Sequence, residues 1–360
     1  MLIYAEKEFS CGLWFTKAVE GINDSAHKRN IELKFVDFDG LSDEIFVDLP
    51  KIIVIIGASD TYLSSIINFC VMYHVKMLLV NYFPPEPTHS ANCVVMDYQD
   101  TMERMIGYLS SCGKRHPALL GVNPASSSDR KKAEFMIRSH YYENIFQNST
   151  VIEACVEQFL VRKNEFDSVI FTNDVVMFAA AAIFREQNLR IPEDIYAVSF
   201  SDTMLAPIFE SPLSPKISTF SIDYHELGRQ CCELWNYLVK NGSDIAATIK
   251  VRANFIPNRS TEFKPLPDIV HSDDNIRQNA FNFYSDEIVH EIISLENCLI
   301  GCDVTDFEII DRLRHGETRS KIAQELFISE GTLYYRLRRL CKLAGAETVA
   351  ALTALVRKYM

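Results

Sequence analysis

The sequence lacks the cysteine and histidine spacings that build metal sites or disulfide frameworks. Its ten cysteines are scattered with no CxxC pair, and its nine histidines form no pair four residues apart. Structural zinc sites and small disulfide-rich folds depend on such spacings. We therefore expect reduced thiols, no metal site and no cofactor.

Motifs that carry catalysis are also missing. The chain has no GxSxG nucleophile elbow, no P-loop and no GxGxxG fingerprint. Each of these motifs places a reactive group or a phosphate on a tight turn. We expect that the protein is not an enzyme.

Long apolar segments are absent too. The longest strongly apolar run, Ile52–Ala58, is too short to cross a bilayer. At the start of the chain, Glu6, Lys7 and Glu8 interrupt the apolar run that a signal peptide needs. We expect a cytoplasmic protein that makes no membrane contact.

What the sequence does contain is ordinary globular composition with uneven charge. Its 360 residues are 48% hydrophobic and 23% charged, which suggests two or three domains with a sizeable core. The net charge is −12, yet residues 303–360 hold ten Lys and Arg against eight Asp and Glu. Any nucleic-acid contact is therefore expected at this basic end of the chain.

Residues 1–260 alternate short apolar runs with longer helical patterns, which is typical of parallel α/β sheets built from βαβ units. The units are too many for one small sheet, so we expect an α/β fold in two lobes, followed by an all-α C-terminal domain. The predicted strands are Leu2–Ala5, Leu33–Phe38, Ile52–Ile56, Met77–Val80, Val94–Met96, Ala118–Val122, Ser168–Thr172 and Ala197–Phe200. The predicted helices are Leu13–Lys28, Tyr62–Tyr73, Thr101–Cys112, Asp129–His140, Val151–Arg162, Val175–Gln187 and Tyr224–Lys240, with a last pair of strands near Ile249–Phe255.

The segment Thr318–Leu340 has the pattern of a helix-turn-helix. Its apolar residues fall into two sets at helical spacing, separated by a break at Phe327–Ser329. The two sets are Ile322, Ala323 and Leu326, then Leu333, Leu337 and Leu340. Thr318 and Ser329 precede the sets, where a hydroxyl accepts a hydrogen bond from a free N–H of the first turn.

The face of the second helix opposite its leucines is cationic and aromatic. We expect this face to bind double-stranded DNA, with base contacts from some residues and phosphate contacts from others. The base contacts are assigned to Tyr334, Tyr335 and Arg338, the phosphate contacts to Arg339 and Lys342, and flanking contacts to Thr332, Thr318, Arg319 and Lys321. An ordinary amphipathic helix pair with a solvated basic face is the alternative interpretation.

The segment GETRSKIAQELFISEGTLYYRLRRL resembles the LuxR-type DNA-binding domain, and TLYYRLRRL also resembles the recognition helix of PucR-type regulators. The resemblance covers about residues 304–358. It implies a four-helix scaffold, with Phe307–His315 as the first helix and Ala346–Lys358 as the last. Arg336 stands where LuxR-type domains often have His.

Residues 1–261 resemble the lactose-repressor effector domain. The resemblance rests on Asn173-Asp174 after a strand, on the turn Ile191-Pro192-Glu193-Asp194 and on Ser199-Phe200-Ser201-Asp202. It implies a periplasmic-binding-protein-like fold, in which three crossovers join two lobes and a ligand binds in the cleft at the strand ends. That family also has an N-terminal DNA-binding headpiece. Because Met1 lies almost directly before the first predicted strand, we expect the C-terminal helix-turn-helix to supply this function.

The resemblance places a set of side chains at the strand ends that face the cleft. The candidate ligand-binding residues are Phe9, Trp14, Phe15, Ser59, Asp60, Arg130, Lys131, Asn173, Asp174, Ser201 and Asp202. Trp14 and Phe15 fit a helix core equally well, and Asp174 is also suited to cap the helix that follows it. Either Arg130 or Lys131, or neither, reaches the cleft. Ser201 stands where the family often has an acidic residue, which leaves the ligand chemistry open.

Between these regions we expect a linker over residues 262–303 that contains a connecting helix. Ile288, Ile292, Leu295 and Leu299 recur at near-helical spacing after Ser285, a candidate cap. This apolar stripe packs on its own domain or, alternatively, mediates self-association. The predicted domains are therefore a ligand-sensing domain over 1–261, a linker over 262–303 and a DNA-binding domain over 304–360.

These observations predict a ligand-responsive transcriptional regulator. A small-molecule effector such as a sugar or nucleoside closes the lobes and changes the DNA affinity of a homodimer. One alternative is a phosphorylation-controlled response regulator, although 260 residues exceed a single receiver domain and the first strand lacks the acidic pair after it. The other is a sensor whose cleft binds a protein partner.

Overall fold

The structure, a computed structural model, describes residues 1–6, 10, 12–36, 52–83, 91–200, 216–241, 245–264 and 286–360. Within these ranges the chain forms two six-stranded sheets and twelve α-helices. No helix in the described ranges combines the length and apolarity that crossing a membrane requires.

The first sheet is parallel between all of its paired strands. It contains β1 (Leu2–Ala5), β2 (Lys34–Val36), β3 (Ile52–Ile56), β4 (Lys76–Val80), β5 (Asn92–Met96) and β11 (Thr248–Val251), in the order β11-β5-β4-β3-β1-β2. Its helices are α1 (Leu13–Lys28), α2 (Asp60–Met72) and α7 (Tyr224–Asn241). Side chains alternate along β3, so Ile53 packs with α2 while Val54 packs with α1 and α7. Helices on both faces explain why every position of β3 is apolar.

The second sheet is parallel except at one edge. It contains β6 (Pro117–Val122), β7 (Ile145–Gln147), β8 (Ser168–Phe171), β9 (Tyr196–Phe200), β10 (Ser218–Ser221) and β12 (Asn254–Ile256), in the order β12-β10-β9-β8-β6-β7. Only β12 runs antiparallel to its neighbour β10. The associated helices are α3 (Tyr98–Ser111), α4 (Ser127–Arg138), α5 (Ile152–Val161) and α6 (Asp174–Glu186).

The chain passes three times between the two sheets. It crosses between β5 and β6, between β10 and β11 by way of α7, and between β11 and β12. This arrangement confirms the predicted α/β fold with two lobes. The two strands expected near Ile249–Phe255 exist, but they are not hydrogen-bonded neighbours, because β11 extends the first sheet and β12 extends the second.

Residues 286–360 are helical. They form α8 (Glu287–Ile300), α9 (Val304–Arg314), α10 (Arg319–Glu325), α11 (Glu330–Leu343) and α12 (Val349–Tyr359). The cap of α8 is Asp286, whose carboxylate accepts hydrogen bonds from the N–H groups of Ile288 and Val289. The expected cap, Ser285, lies outside the described residues.

These helices share one core with the second lobe. The buried side chains form a continuous apolar cluster that runs from Phe159 and Phe184 of the second lobe through Ile292 of α8 to Leu337 of α11 and Val356 of α12. Helix α8 packs on α6, α11 and α12, and α12 also packs on α6. The C-terminal helices are therefore joined to the second lobe by apolar packing as well as by the linker.

Candidate functional site

A cavity of about 510 Å³ lies between the two lobes. The first lobe contributes Trp14 at the start of α1 and Asn81 after β4, and the second lobe contributes Asn123, Asn173 and Phe200 at or after its strand ends. Aromatic rings on the wall are arranged in pairs: Trp14 lies 6.5 Å from Tyr224, and Tyr98 lies 6.0 Å from Phe200 between ring centroids. Flat apolar surfaces combined with amide groups suit a small organic ligand that carries several hydrogen-bonding groups.

The charged residues in the cavity wall with the most extensive described contacts are Lys132 and Asp129, both on α4. The Lys132 ammonium is 2.7 Å from the Asp129 carboxylate and donates to the carbonyl oxygen of Thr172 at 2.8 Å. It also lies 4.8 Å and 4.7 Å from the ring centroids of Tyr98 and Phe200. Carboxylate, carbonyl and aromatic neighbours together stabilise a buried ammonium. This side chain is thus held rigidly at the cavity wall.

Tyr98 links this cluster to the first lobe. Its hydroxyl donates to the Asn81 side-chain oxygen at 3.5 Å, a long contact. Burial is the main reason that the pKa of Tyr98 is raised well above its ordinary value. The phenol is therefore neutral at physiological pH and keeps the proton that it donates to Asn81.

Two predicted ligand-binding residues follow β8 and line the cavity. Asn173 is the N-cap of α6, and its side-chain oxygen accepts from the Val176 N–H at 2.9 Å. Asp174 is the first residue of α6, so the capping role suggested for it belongs to Asn173. The Asp174 carboxylate accepts a hydrogen bond from the Ser199 hydroxyl at 3.5 Å. Trp14, the third predicted residue in the wall, lies beside Phe15, which is packed into the first-lobe core.

Other predicted ligand-binding residues form a cluster outside the cavity lining. Arg130 donates two hydrogen bonds to Asp60, which lies on the other lobe. The N–H and the hydroxyl of Ser59 both donate to Glu6. The Lys131 ammonium pairs with Glu134 at 2.8 Å. Arg130 and Asp60 join the lobes, whereas Ser59 and Lys131 each pair within their own lobe, and none of the four lines the cavity.

Phe9, Ser201 and Asp202 lie outside the described residues.

The sequence interpretation missed Asp129 and Lys132, two residues of α4 that line the cavity. Their spacing of three residues was the available signal, because positions i and i+3 of a helix share a face.

The connecting helix α8 forms a further wall of the cavity, which the sequence interpretation did not anticipate. Four of its side chains line the space: Ile293, Glu296, Asn297 and Ile300. They occur at the i, i+3, i+4, i+7 spacing of a single helix face. The cavity is therefore bounded by both lobes and by the helix that precedes the C-terminal unit.

A second candidate site is the exposed side of α10 and α11. Thr318 caps α10 and Ser329 caps α11, each by accepting from the N–H three residues later, as predicted. Leu333, Leu337 and Leu340 are buried, whereas Tyr334 and Tyr335 are 63% and 71% exposed. Phe327, in the turn between the helices, is 96% exposed. These exposed rings are compatible with a contact surface.

The remaining predicted DNA contacts are mostly exposed as well. Arg319, Thr332, Arg338 and Lys342 are exposed, and Lys321 is exposed beside Glu317, to which its ammonium donates at 2.8 Å. These positions give α10 and α11 a cationic and aromatic surface of the kind that neutralises phosphates.

Two arginines of α11 face inward instead. Asp306 of α9 is fully buried and accepts from both Arg336 and Arg339. Arg336 also donates to Asp303 at 2.9 Å, and this pairing is the main reason that the pKa of Asp303 is lowered. Asp303 and Asp306 additionally form a capping box at the start of α9. The charge of Arg339, expected on phosphate, is thus engaged within the helical unit, and Arg338 and Lys342 remain the exposed cations of α11.

Comparisons with known proteins bear on the two-lobed part of the chain. Residues 106–261 match the family model described as a periplasmic binding protein-like domain. The HTH-type transcriptional repressor PurR of Photobacterium profundum is 22% identical over 154 residues, which is 42% of this chain and 42% of that protein. The match thus spans less than half the length of that repressor.

Solved structures extend the likeness to about 72% of the chain. The transcriptional regulator CelR in complex with cellobiose has a TM-score of 0.60 at 14% identity, covering 72% of this chain and 83% of that chain. The lac repressor dimer bound to operator and the anti-inducer ONPF has a TM-score of 0.59 at 14% identity, covering 72% and 81%. These likenesses establish the periplasmic-binding-protein-like fold. The family model ends at residue 261 and leaves the C-terminal helices to be interpreted from their own geometry.

Proposed function

We propose that this chain is a ligand-responsive transcriptional regulator. In this proposal a small molecule binds in the interlobe cavity, and α10 and α11 bind double-stranded DNA. The observation that carries the proposal is that one helix, α8, lines the cavity and also packs on α11 within a buried cluster shared with the second lobe. The similarity to transcriptional regulators, rather than to enzymes, supports it.

The DNA-binding part of the proposal rests on the geometry of α9–α12. Helix α11 packs on α10 and α12, and α12 packs on α9, which is consistent with the four-helix LuxR-type scaffold. Tyr334, Tyr335 and Arg338 lie on its exposed side and would contact base edges, while Lys342 and Arg319 would contact phosphates. A homodimer places two such units on the two halves of an operator.

The ligand-binding part rests on the chemistry of the cavity wall. Amide groups of Asn81, Asn123 and Asn173 provide both donors and acceptors, and the rings of Trp14 and Tyr98 provide flat apolar surfaces. A sugar or a nucleoside presents the matching hydroxyl groups and a stacking face. Both compound classes are therefore the effectors we propose.

Mobility-shift assays test the DNA-binding role. The full chain is titrated onto a duplex from the region upstream of its own coding sequence and onto random DNA of the same length. Arg338→Ala is expected to weaken binding to the upstream duplex by about 10- to 100-fold, the effect of losing one base contact, and to weaken random-DNA binding much less. Equal losses on both duplexes would refute the assigned role of Arg338. Lys28→Ala, which removes an exposed cation from α1, is the matched control.

A thermal-shift screen with ribose, cellobiose and adenosine tests the cavity. A bound compound raises the melting temperature, because it stabilises only the folded chain. If the chain binds DNA but no compound of these classes stabilises it, the small-molecule hypothesis is refuted. The alternative, in which the cavity binds a protein partner, then takes its place.

A further inference from the structure

Helix α8 has two faces with different neighbours. Its cavity face carries Ile293, Glu296, Asn297 and Ile300. Its other side carries Ile292, Leu295 and Leu299, which belong to the same buried cluster as the leucines of α11. One helix therefore contacts the ligand space and the candidate DNA-reading helix at the same time.

The contact between α8 and α11 is close and specific. The Cys298 thiol donates to the carbonyl oxygen of Leu340 at 3.5 Å. At the end of α8, a Cβ on Gly301 would lie 2.8 Å from a methyl carbon of Leu343. Close contacts between packed helices transmit a displacement of one helix to the other, because protein interiors are close-packed.

The first half of α8 is fixed to two other elements. Asp286 accepts from the N–H of Ile152 in α5 at 2.6 Å, which ties the start of α8 to the second lobe. Glu291 accepts from the Tyr359 hydroxyl at 2.7 Å and pairs with the Lys358 ammonium at 2.8 Å, which ties it to α12. Helix α8 therefore belongs mechanically to the second lobe and to the C-terminal unit together.

The first lobe lies across the cavity from α8. Its contributions include Trp14, Thr16 and Lys17 on the first turns of α1. A ligand that fills the cavity is thus placed between the first lobe and α8. In this wall Glu296 is buried, with an exposed fraction of 3%, whereas Asn297 on the same face of α8 is exposed. Carboxylate and amide groups together accept hydrogen bonds from the hydroxyl or amino groups of a ligand.

We infer that α8 is part of the ligand-binding site, with Glu296 and Asn297 as ligand-contacting residues, and that ligand contact is passed directly from α8 to α11. This inference rests on the proposed function and specifies its regulation. Closure of the lobes alone would affect α11 only through the second lobe. Direct contact with α8 adds a route in which the ligand displaces the helix on which α11 packs. For this to occur, the ligand must bind with different affinity to the chain before and after α8 is displaced.

The test fills the cavity from the α8 side in the full-length protein. Asn297→Trp places an indole in the cavity, and Ile300→Trp does the same from the next position along this face. His290→Trp adds the same bulk to an exposed position of α8 that does not line the cavity, and serves as the matched control. Melting temperatures confirm that each variant folds.

Amide hydrogen exchange of residues 333–343 in α11 is the first readout, and it needs neither DNA nor ligand. Asn297→Trp and Ile300→Trp are expected to change protection in this peptide, whereas His290→Trp leaves it as in the wild type. Unchanged protection in both cavity variants overturns the inference, whether or not the protein binds DNA. If protection changes but the chain binds no DNA, the proposed function is refuted. The inference that α8 acts on α11 then still stands.

The second readout is affinity for the upstream duplex, measured by fluorescence anisotropy. The two cavity variants are expected to shift the Kd by about 5- to 150-fold, the usual range of coupling between sites. A normal Kd in the cavity variants would show that α8 does not control α11, and would overturn the regulatory part. For ligand contact, Glu296→Gln is expected to weaken binding of whichever of ribose, cellobiose or adenosine stabilises the wild type by about 10-fold, the effect of losing a hydrogen bond to a charged group. Unaltered affinity in Glu296→Gln and in Asn297→Ala would remove both residues from the site.

Discussion

Arg130 and Asp60 join the two lobes through a pair of parallel hydrogen bonds, with Nη1 to Oδ2 at 2.5 Å and Nη2 to Oδ1 at 2.8 Å. Tyr82 of the first lobe donates to the same carboxylate at 3.0 Å. Burial, followed by the charge of Asp60, raises the pKa of Tyr82. A bidentate arginine–carboxylate pair has a defined geometry, so it favours one relative position of the lobes. Two residues that the sequence suggested for ligand contact thus form an ion pair between the lobes.

Breaking this link is expected to loosen the contact between the lobes. Arg130→Gln should lower stability by about 1–3 kcal/mol, because Asp60 is then left without its charge partner. Small-angle X-ray scattering should show a larger radius of gyration than in the wild type. Lys131→Gln on the same helix is the control, since its partner Glu134 lies in its own lobe. An unchanged radius of gyration in Arg130→Gln would show that the pair does not hold the lobes.

The crossing of α1 and α7 sets the position of one cavity wall. A Cβ on Gly21 would lie 1.9 Å from the carbonyl oxygen of His225, and a Cβ on Gly228 would lie 1.9 Å from that of Ala18. Gly21→Ala is therefore expected to destabilise the chain by about 1–3 kcal/mol, the range for overpacking, in urea unfolding. A Cβ on Gly331 in α11 would meet the Ser329 hydroxyl at 3.7 Å, an ordinary contact, so Gly331→Ala should be neutral or stabilising by up to about 1 kcal/mol. Equal effects of the two substitutions would refute the close crossing.

Asp306 is expected to be the most sensitive polar residue of the C-terminal unit. It is fully buried and accepts from Arg336 and Arg339. Asp306→Ala removes the partner of two partly exposed arginines and half of a capping box, which should cost about 2–4 kcal/mol. The exposed Asp311 on the same helix is the comparison, and Asp311→Ala should change stability by less than about 0.5 kcal/mol. If urea unfolding shows the same loss for both, the buried ion-pair cluster does not stabilise the unit.

The ion pair between Arg336 and Asp303 predicts a particular pH dependence. The pKa of Asp303 is lowered from its ordinary value of 3.8 in the folded chain, chiefly by Arg336. A lowered pKa means that the ionised carboxylate favours the folded state above pH about 4, and that this stabilisation is lost as the pH falls further. The melting temperature of the wild type should therefore exceed that of Arg336→Gln at pH 7 by more than at pH 3. A difference that stays constant or grows on acidification would contradict the assignment.

The fold was largely predictable because most of its elements show hydrophobic periodicity in their sequence. Helix α1 has the predicted ends, and β1 and β3 have the predicted ends as well. The strands β7 and β10 were missed. The first of them is only three residues long, and Ser218 and Thr219 of the second are polar although buried. Their pairing depends on neighbouring strands that no local pattern reveals.

The cavity was less predictable because it depends on helix phase and on tertiary packing. Arg130 and Lys131 were named from the resemblance, whereas Asp129 and Lys132 line the cavity. A shift of one residue turns a side chain by about 100° around a helix, which is enough to move it from the cavity to another surface. The participation of α8 follows from where a distant segment packs, so its apolar stripe alone could indicate burial but not its partner.

The central claim is that occupancy of the cavity changes DNA affinity through the C-terminal helices. The most direct measurement is the Kd of the full chain for its upstream duplex, with and without a saturating concentration of the sugar or nucleoside that raises its melting temperature. We predict a change of about 5- to 150-fold. Asn173→Ser should remove this change, because serine still caps α6 but lacks the amide that lines the cavity. An identical Kd with and without bound ligand in the wild type would contradict the claim.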